Sequence, residues 1–475
     1  MDVRVTEVAL ARTECRARVP FRFGGSEMSE APLLHARVEV EAVDGRRADG
    51  LAADLLVPKW FRKDPATSVE HGWSELRASV VQAAQILVAL GFSTPFELWR
   101  RCHDAMTRGL DPASEDLLVR GFGAAMLERA VIDAVCRLSG SGIWGALRSD
   151  LLGFRPEKVH PFLMGWRLPE GLPERPRGKL LLRHTVGLSD PIRRTDAGPR
   201  ADDDGLPASL EEEFERTMPS WLKIKAGARR EEDLERLCAI AALCRDLDRD
   251  VRWTLDGNER FGDLDEVADL LDEFAARPEG ARMLRGLAFV EQPVPRARTF
   301  DAGANRGLRR VAQRAPLLID EADQDPHSFP RAWELGWRGV SVKNCKGFFR
   351  ALLNLGVART RARGAFLSAE DLTTLPVMSL QQDLATVACL GLEHVERNGH
   401  HYFRGLEHLP AEVASSALEN HPDLYEPLGS GAALRVTRGE IDVGSLFCPG
   451  FGCEKALHQA LLESLPFSSP IATRN

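Results

Sequence analysis

The chain has 475 residues, 44% hydrophobic and 28% charged, with a formal net charge of −8 and a pI near 5.9. That length suits one barrel with an attached domain, or two or three ordinary domains. The acidic balance argues against the basic footprint of a nucleic-acid binder, so no nucleic-acid partner is expected.

The opening MDVRVTEVALARTECRARVP has no apolar h-region, so no secretory signal is expected there. No run reaches the ~18 apolar residues of a spanning helix, so no membrane partner is expected either. The nine cysteines are scattered and form no CxxC pair. They read as reduced and mostly buried in a cytoplasmic protein. Cys448 and Cys453 bracket PGFG, where a metal or disulfide role is the lesser reading.

Residues 1–57 read as a β meander, VRVTEVAL, LLHARVEVEAV and ADGLAADLLV, with an Asp-Gly turn before the third strand. FRFGGSEMSEAP and PKWFRKDP read as loops. SVEHGWSELRASVVQAAQILVALG and ASEDLLVRGFGAAMLERAVIDAVCRLSG have helical apolar spacing and end in glycine. Residues 1–150 therefore read as an α+β domain. KLLLRHTVG then reads as a first barrel strand, followed by a polar insertion near 187–210, either a lid or a solvated excursion.

The organising stretch is 221–347. WLKIKAG, VRWTLDGNE, LAFVEQP, APLLIDEAD and GVSVKNCKG are short apolar runs that each end in charge. They read as buried parallel strands separated by helices, an α/β architecture. Residues 225, 256, 291, 320 and 343 stand 31, 35, 29 and 23 residues apart. A (β/α)8 barrel spends roughly 31 residues per unit and carries its site at the C-terminal strand ends. RGAFLSAED reads as a seventh strand and LEHVERNG as the eighth. The barrel spans 151–410, and 411–475 is expected to return toward the first domain. His400 and His401 in NGHHYF are adjacent and point apart on a strand, so a surface loop is expected there rather than a metal pair.

Asp256, Glu291 and Asp320 would place three carboxylates on neighbouring strand ends. Oxygen donors with room for water and substrate suit Mg2+. Glu321 adjoins Asp320 and is the alternative ligand. Lys223 and Lys225, two apart, share one side of an extended strand. A nearby cation and a second lysine both lower a lysine's pKa, so Lys223 and Mg2+ are expected to prepare Lys225 as a base. Lys343, with Lys346 as its rival, would approach from the far side.

The set LKIKAG, LDGNE, FVEQP, IDEAD and VKNCKG resembles the enolase superfamily, and most its muconate-lactonising subgroup, with K-x-K on the second strand, acids on the third to fifth and lysine on the sixth. The resemblance implies a (β/α)8-type barrel under an N-terminal α+β capping domain. It implies Lys225 and Lys343 as the acid/base pair assisted by Lys223, and Asp256, Glu291 and Asp320 as Mg2+ ligands. It further implies a substrate pocket touched by Asn258, by Phe21 and the rest of 21–25, and by Trp60 within 59–61. Where mandelate-racemase-like relatives carry a histidine on the seventh strand, this chain has Glu370. The polar insertion and the SAED strand also depart from the subgroup.

The activity implied is Mg2+-dependent removal of a proton α to a substrate carboxylate through an enediolate, by an isomerase or lyase. Epimerisation or racemisation is slightly favoured over cycloisomerisation. Acid-sugar dehydration, o-succinylbenzoate synthase-like elimination and a non-catalytic carboxylate-binding barrel are the alternatives. The expected partners are a small carboxylate substrate and further copies of the chain in a homo-oligomer.

Overall fold

A computed structural model describes residues 1–23, 26–111, 114–198, 204–361 and 364–472. β1 (Val3–Phe23) pairs antiparallel with β2 (Ser26–Ala42), and β2 with β3 (Arg47–Leu55). The stretch expected as a loop around 21–32 is strand instead: the ladder runs out to Phe23↔Ser26, and Arg22 pairs with Glu27 at 2.6 Å. Gly24 and Gly25 lie outside the described residues. The register passes from Arg16↔Glu30 to Phe21↔Met28, so extra β1 residues bulge out around Pro20, which has no N–H for the ladder. The bulge carries Arg18 against the insertion near 187–210 and the turn at His401, where its side chain is buried. Its guanidinium pairs with Asp204 and donates to the carbonyls of Pro207 (3.1 Å) and His401 (2.9 Å).

Helices Val69–Ala89 and Asp116–Ser139 occupy the expected segments. Between them lies Pro95–Thr107, which apolar spacing alone had not singled out. Its signal is Thr94 followed by Pro95 and Glu97: the Thr94 side chain accepts from the Glu97 N–H, capping the helix. Gly50 on β3 is dictated by packing, since a Cβ there would stand 2.1 Å from the Ala130 carbonyl oxygen of helix Asp116–Ser139.

Eight parallel strands form the barrel: β4 (Lys179–Val186), β5 (Trp221–Lys225), β6 (Arg252–Asp256), β7 (Leu287–Glu291), β8 (Leu317–Ile319), β9 (Gly339–Val342), β10 (Phe366–Ala369) and β11 (His394–Arg397). β11 pairs back onto β4, so the ring is closed. A capped (β/α)8 barrel is therefore the architecture. One apolar core joins the capping sheet and its helices to the β9–β11 side, through Val342, Ala369 and Val395. A second lies between β5–β8 and their helices.

The insertion after β4 is tied down where described. Asp190 accepts from Gly187 N–H (2.7 Å) and the Tyr402 hydroxyl (2.5 Å), and Arg236 donates to the Asp190 carbonyl (2.9 Å). Residues 199–203 of that segment lie outside the described set. His400 and His401 do not sit in the surface loop expected of them. They form a turn of helix, Gly399–Tyr402, and His401 is buried because Phe21 and Arg18 of the capping arm cover this corner.

After a β12–β13 hairpin (Tyr425–Leu428, Gly431–Leu434), β14 (Glu440–Asp442) joins the edge of β4, and β15 (Ile471–Ala472) pairs with β1 at Glu7↔Ala472. Asp133, fully buried, ties this return to the cap. It accepts from Leu51 N–H (2.9 Å) and Phe451 N–H (2.7 Å) and pairs with Arg137. Asp133→Asn removes the charge and one acceptor, leaving a buried group unsatisfied at about 1–3 kcal/mol. A lowered apparent melting temperature by calorimetry is the expected result; an unchanged one would mean that the junction carries no stability. No helix among the described residues is long and apolar enough to cross a membrane.

Candidate active site at the barrel mouth

The barrel register brings charged strand ends together. Lys225 lies beside Asp256, and Asp256 beside Glu291, at one level of the ring. Lys343 follows β9, four strands round from β5, so Lys225 and Lys343 stand on opposite sides of an eight-strand ring. Lys225 Nζ donates to Asp256 Oδ2 at 2.7 Å, and Lys343 Nζ to Asp320 Oδ2 at 2.5 Å. Trp60 from the cap covers the second pair, its ring centroid 4.6 Å from Lys343 Nζ. Lys225 and Lys343 are only 7% and 4% exposed, so the mouth is closed over them.

Lys223 lies deeper, as a hub. Its Nζ is 2.8 Å from Glu291, 2.9 Å from Glu370, 2.8 Å from Glu396 and 3.0 Å from Asp256. Burial works against this ammonium, but the four carboxylates outweigh it and hold the group well above the ordinary lysine range. For Lys343, burial is likewise outweighed by Asp320, and the ammonium is held above its usual range. Burial of Asp320 is outweighed in turn by Lys343 and Lys346, which keep it well below the carboxylate norm. Lys346 is taken up by the Ser341 hydroxyl and the Asp320 carbonyl, whereas Lys343 donates to the Asp320 carboxylate.

Asn258 braces Asp256: its N–H donates to Asp256 Oδ1 at 2.8 Å and its side chain to Oδ2 at 3.3 Å. The backbone is left-handed at Asn258 (φ 41°), Glu259 (φ 66°) and Gln292 (φ 30°), a concentration of strain at adjoining strand ends. Gln292 Oε1 accepts from the N–H groups of Asp320 (3.0 Å) and Ala322 (3.1 Å), fixing the end of β8. Glu321 turns away from Asp320 to face Lys63 of the cap at 3.3 Å.

Glu370 and Phe21 stand apart from Lys225 and Lys343. Glu370 is buried below the mouth between Arg183 and Lys223; burial is outweighed by those cations, and its carboxyl falls to about 2. Phe21 stacks on Tyr402 at 4.2 Å, near the end of the eighth strand. Several residues went unread in the sequence: Glu396, Arg183, Lys63 and the buried pair Arg296–Glu259. Arg296 also donates to the carbonyls of Trp60 and Phe61, both at 2.8 Å, pinning the cap to the fourth barrel loop. Glu396 lacked the signal of the other strand ends, because its strand reads HVER, with Val395 as its one apolar residue.

The carboxylates suit a hard divalent cation. Glu291 Oε2 is buried and accepts no hydrogen bond. Burial, then the charges of Asp256 and Glu370, push the Glu291 carboxyl well above its ordinary range. Lys223 Nζ nevertheless lies 2.8 Å from Oε2. Asp256 Oδ1 accepts from the Asn258 N–H, and the other oxygens of Asp256, Glu291 and Asp320 are engaged by Lys223, Lys225, Lys343 and Lys346. Among the described residues, the group of metal-capable side chains with ligand atoms all within 4.8 Å lies elsewhere, at His184, Glu213 and His400.

The closed barrel and the four-stranded antiparallel sheet that caps it are similar in fold to a solved member of the enolase superfamily. No family model and no curated protein matches the chain. Solved structures do. 2-Chloromuconate cycloisomerase from Rhodococcus opacus is similar over 97% of this chain and 99% of its own, at 15% identity and a TM-score of 0.60. An enolase from Bradyrhizobium complexed with magnesium and mandelic acid is similar over 98% and 99%, at 17% identity and 0.58. The L-Ala-D/L-Glu epimerase from Bacillus subtilis is similar over 94% and 98%, at 15% identity and 0.58.

Proposed function

We propose that this chain is a Mg2+-dependent enzyme that abstracts a proton α to the carboxylate of a small substrate, with epimerisation as the favoured outcome and cycloisomerisation the alternative. Residues 1–150 act as the capping domain over a barrel of 151–410. The observation that carries the reading is the opposed pair, Lys225 on one side of the ring and Lys343 on the other, each against a carboxylate of the same acidic ring. The solved structures with magnesium, mandelic acid and epimerase or cycloisomerase identities support it.

The proton next to a carboxylate is very weakly acidic, and its removal puts a second negative charge on the substrate. Asp256, Glu291 and Asp320 would hold the ion, which supplies positive charge where that charge develops. Lys225 takes the proton from one face. Lys343, beside Asp320, returns one on the other, and the two exchange roles for the opposite stereoisomer. Asn258 and Gln292 hold Asp256 and Asp320 in place, and Trp60 shields Lys343 from solvent. Opposed acid and base invert the α-carbon; the same pair supports cycloisomerisation when the substrate carries an internal acceptor.

The test is incubation with dipeptides, N-acyl amino acids and sugar acids in D2O with Mg2+, read by NMR. Deuterium is expected at the α-carbon of one class, and its incorporation is expected to stop on chelation. Ligand binding without exchange in any class would leave a non-catalytic carboxylate-binding barrel.

A further inference from the structure

A second cluster lies outside the barrel interior. On β4, Arg183 and Thr185 point inward, to Glu370 and to Glu396 (2.8 Å), so His184 between them faces the helix layer. β4 and β11 close the ring with His184 in register with Arg397, and the turn just beyond carries His400. Helix Leu210–Arg216, which ends the insertion, brings in Glu213. His184 Nδ1 is 3.3 Å from His400 Nε2 and 3.7 Å from Glu213 Oε1, and His400 Nε2 is 3.3 Å from the same oxygen.

We propose that His184, Glu213 and His400 form a second metal centre, independent of the barrel mouth, that takes a borderline divalent ion such as Zn2+ in tetrahedral geometry with its fourth position open. Ligands about 2.0–2.1 Å from a tetrahedral Zn2+ stand ~3.4 Å from one another. The three observed separations, 3.3, 3.3 and 3.7 Å, form such a triangle. Hydrogen bonding alone satisfies the triangle poorly, because one His400 N–H cannot point at both neighbours. The donor set of two imidazoles and one carboxylate suits Zn2+ better than Mg2+, which prefers oxygen.

A second observation points the same way. Glu213 is 1% exposed, and its Oε2 is buried without a hydrogen-bond partner. Its Oε1 accepts from Thr217 Oγ1 at 2.6 Å, the kind of outer contact that orients a ligating carboxylate. Glu213 and His400 also line a cavity of about 280 Å3, with Thr217 and Arg397, and this gives the fourth position access to water or a small ligand. The ion would clamp the end of the insertion and the turn after β11 onto β4, four residues from Glu396.

The test uses the full chain, stripped by chelator and titrated with Co2+ in excess Mg2+. One equivalent is expected to bind with the intense visible bands of tetrahedral Co2+, and Zn2+ is expected to displace it. His400→Gln and Glu213→Gln, each checked for native melting behaviour, are expected to weaken binding by more than about 100-fold, beyond what loss of a supporting contact costs. Asp320→Asn is expected to leave the spectrum unchanged. The proposal is overturned by weak octahedral bands, by no binding to the wild type, or by a spectrum that survives His400→Gln and Glu213→Gln but is lost in Asp320→Asn. The readout is the metal alone, so it stands or falls apart from the proposed activity.

Discussion

Replacing either opposed lysine by alanine is expected to abolish inversion while sparing half of the proton chemistry. Lys225→Ala and Lys343→Ala should each lower epimerisation by about 10²–10⁴-fold, the usual contribution of a positioned acid or base. Each variant should still exchange the α-proton of the one stereoisomer that faces the surviving lysine. The structure gives the reason: the two ammonium groups approach from strands four apart in the ring, against Asp256 and Asp320 respectively. NMR in D2O, starting from each pure stereoisomer, reads the asymmetry directly. If both variants exchange both isomers at the wild-type rate, neither lysine handles the proton.

Lys223→Met is expected to have the largest effect on stability. Methionine fills a similar volume but leaves Asp256, Glu291, Glu370 and Glu396 facing one another with no ammonium between them. Breaking a buried ion pair by removing one partner costs about 3–5 kcal/mol. The sign with pH follows from the carboxylates. Burial of Asp256, Glu370 and Glu396 is outweighed by nearby cations, Lys223 among them, so their folded pKa values lie below the unfolded ones. Their stabilisation is present above the unfolded carboxylate range and is lost as pH falls through the folded values. The deficit of Lys223→Met should therefore be greatest near neutrality and shrink toward pH ~4, where carboxyls protonate. Melting curves across pH, with chelator present, measure it; a deficit that does not change with pH would mean that packing alone is responsible.

The barrel was legible because parallel strands buried on both faces read as unbroken apolar runs, and only their tips tolerate charge. That rule picked out Lys225, Asp256, Glu291, Asp320 and Lys343 together. It could not pick out Glu396, whose strand His394–Arg397 has three polar or charged residues and only Val395 apolar. Other features depend on contacts that no local pattern encodes. Arg18 meets Asp204 and Lys63 meets Glu259 across nearly 200 residues of chain, so neither the pinned insertion nor the latched cap had a signal in sequence. The capping arm was misread as a loop because Gly-Gly and Ser residues carry turn chemistry, whereas its strands continue through cross-strand pairs such as Arg22–Glu27. His400 and His401 were assigned to the surface for want of any cue that the arm would cover them.

With Trp60 seated on Lys343 and its carbonyl held by Arg296, a substrate arriving from bulk water meets a shut door. On the proposed function, each turnover would include an excursion of the segment around Trp60, with Lys63 letting go of Glu259 and Glu321 and taking hold again. Throughput would be governed by that traffic as much as by proton transfer, and added salt or solvent viscosity would act on the hinge before either reached the chemistry.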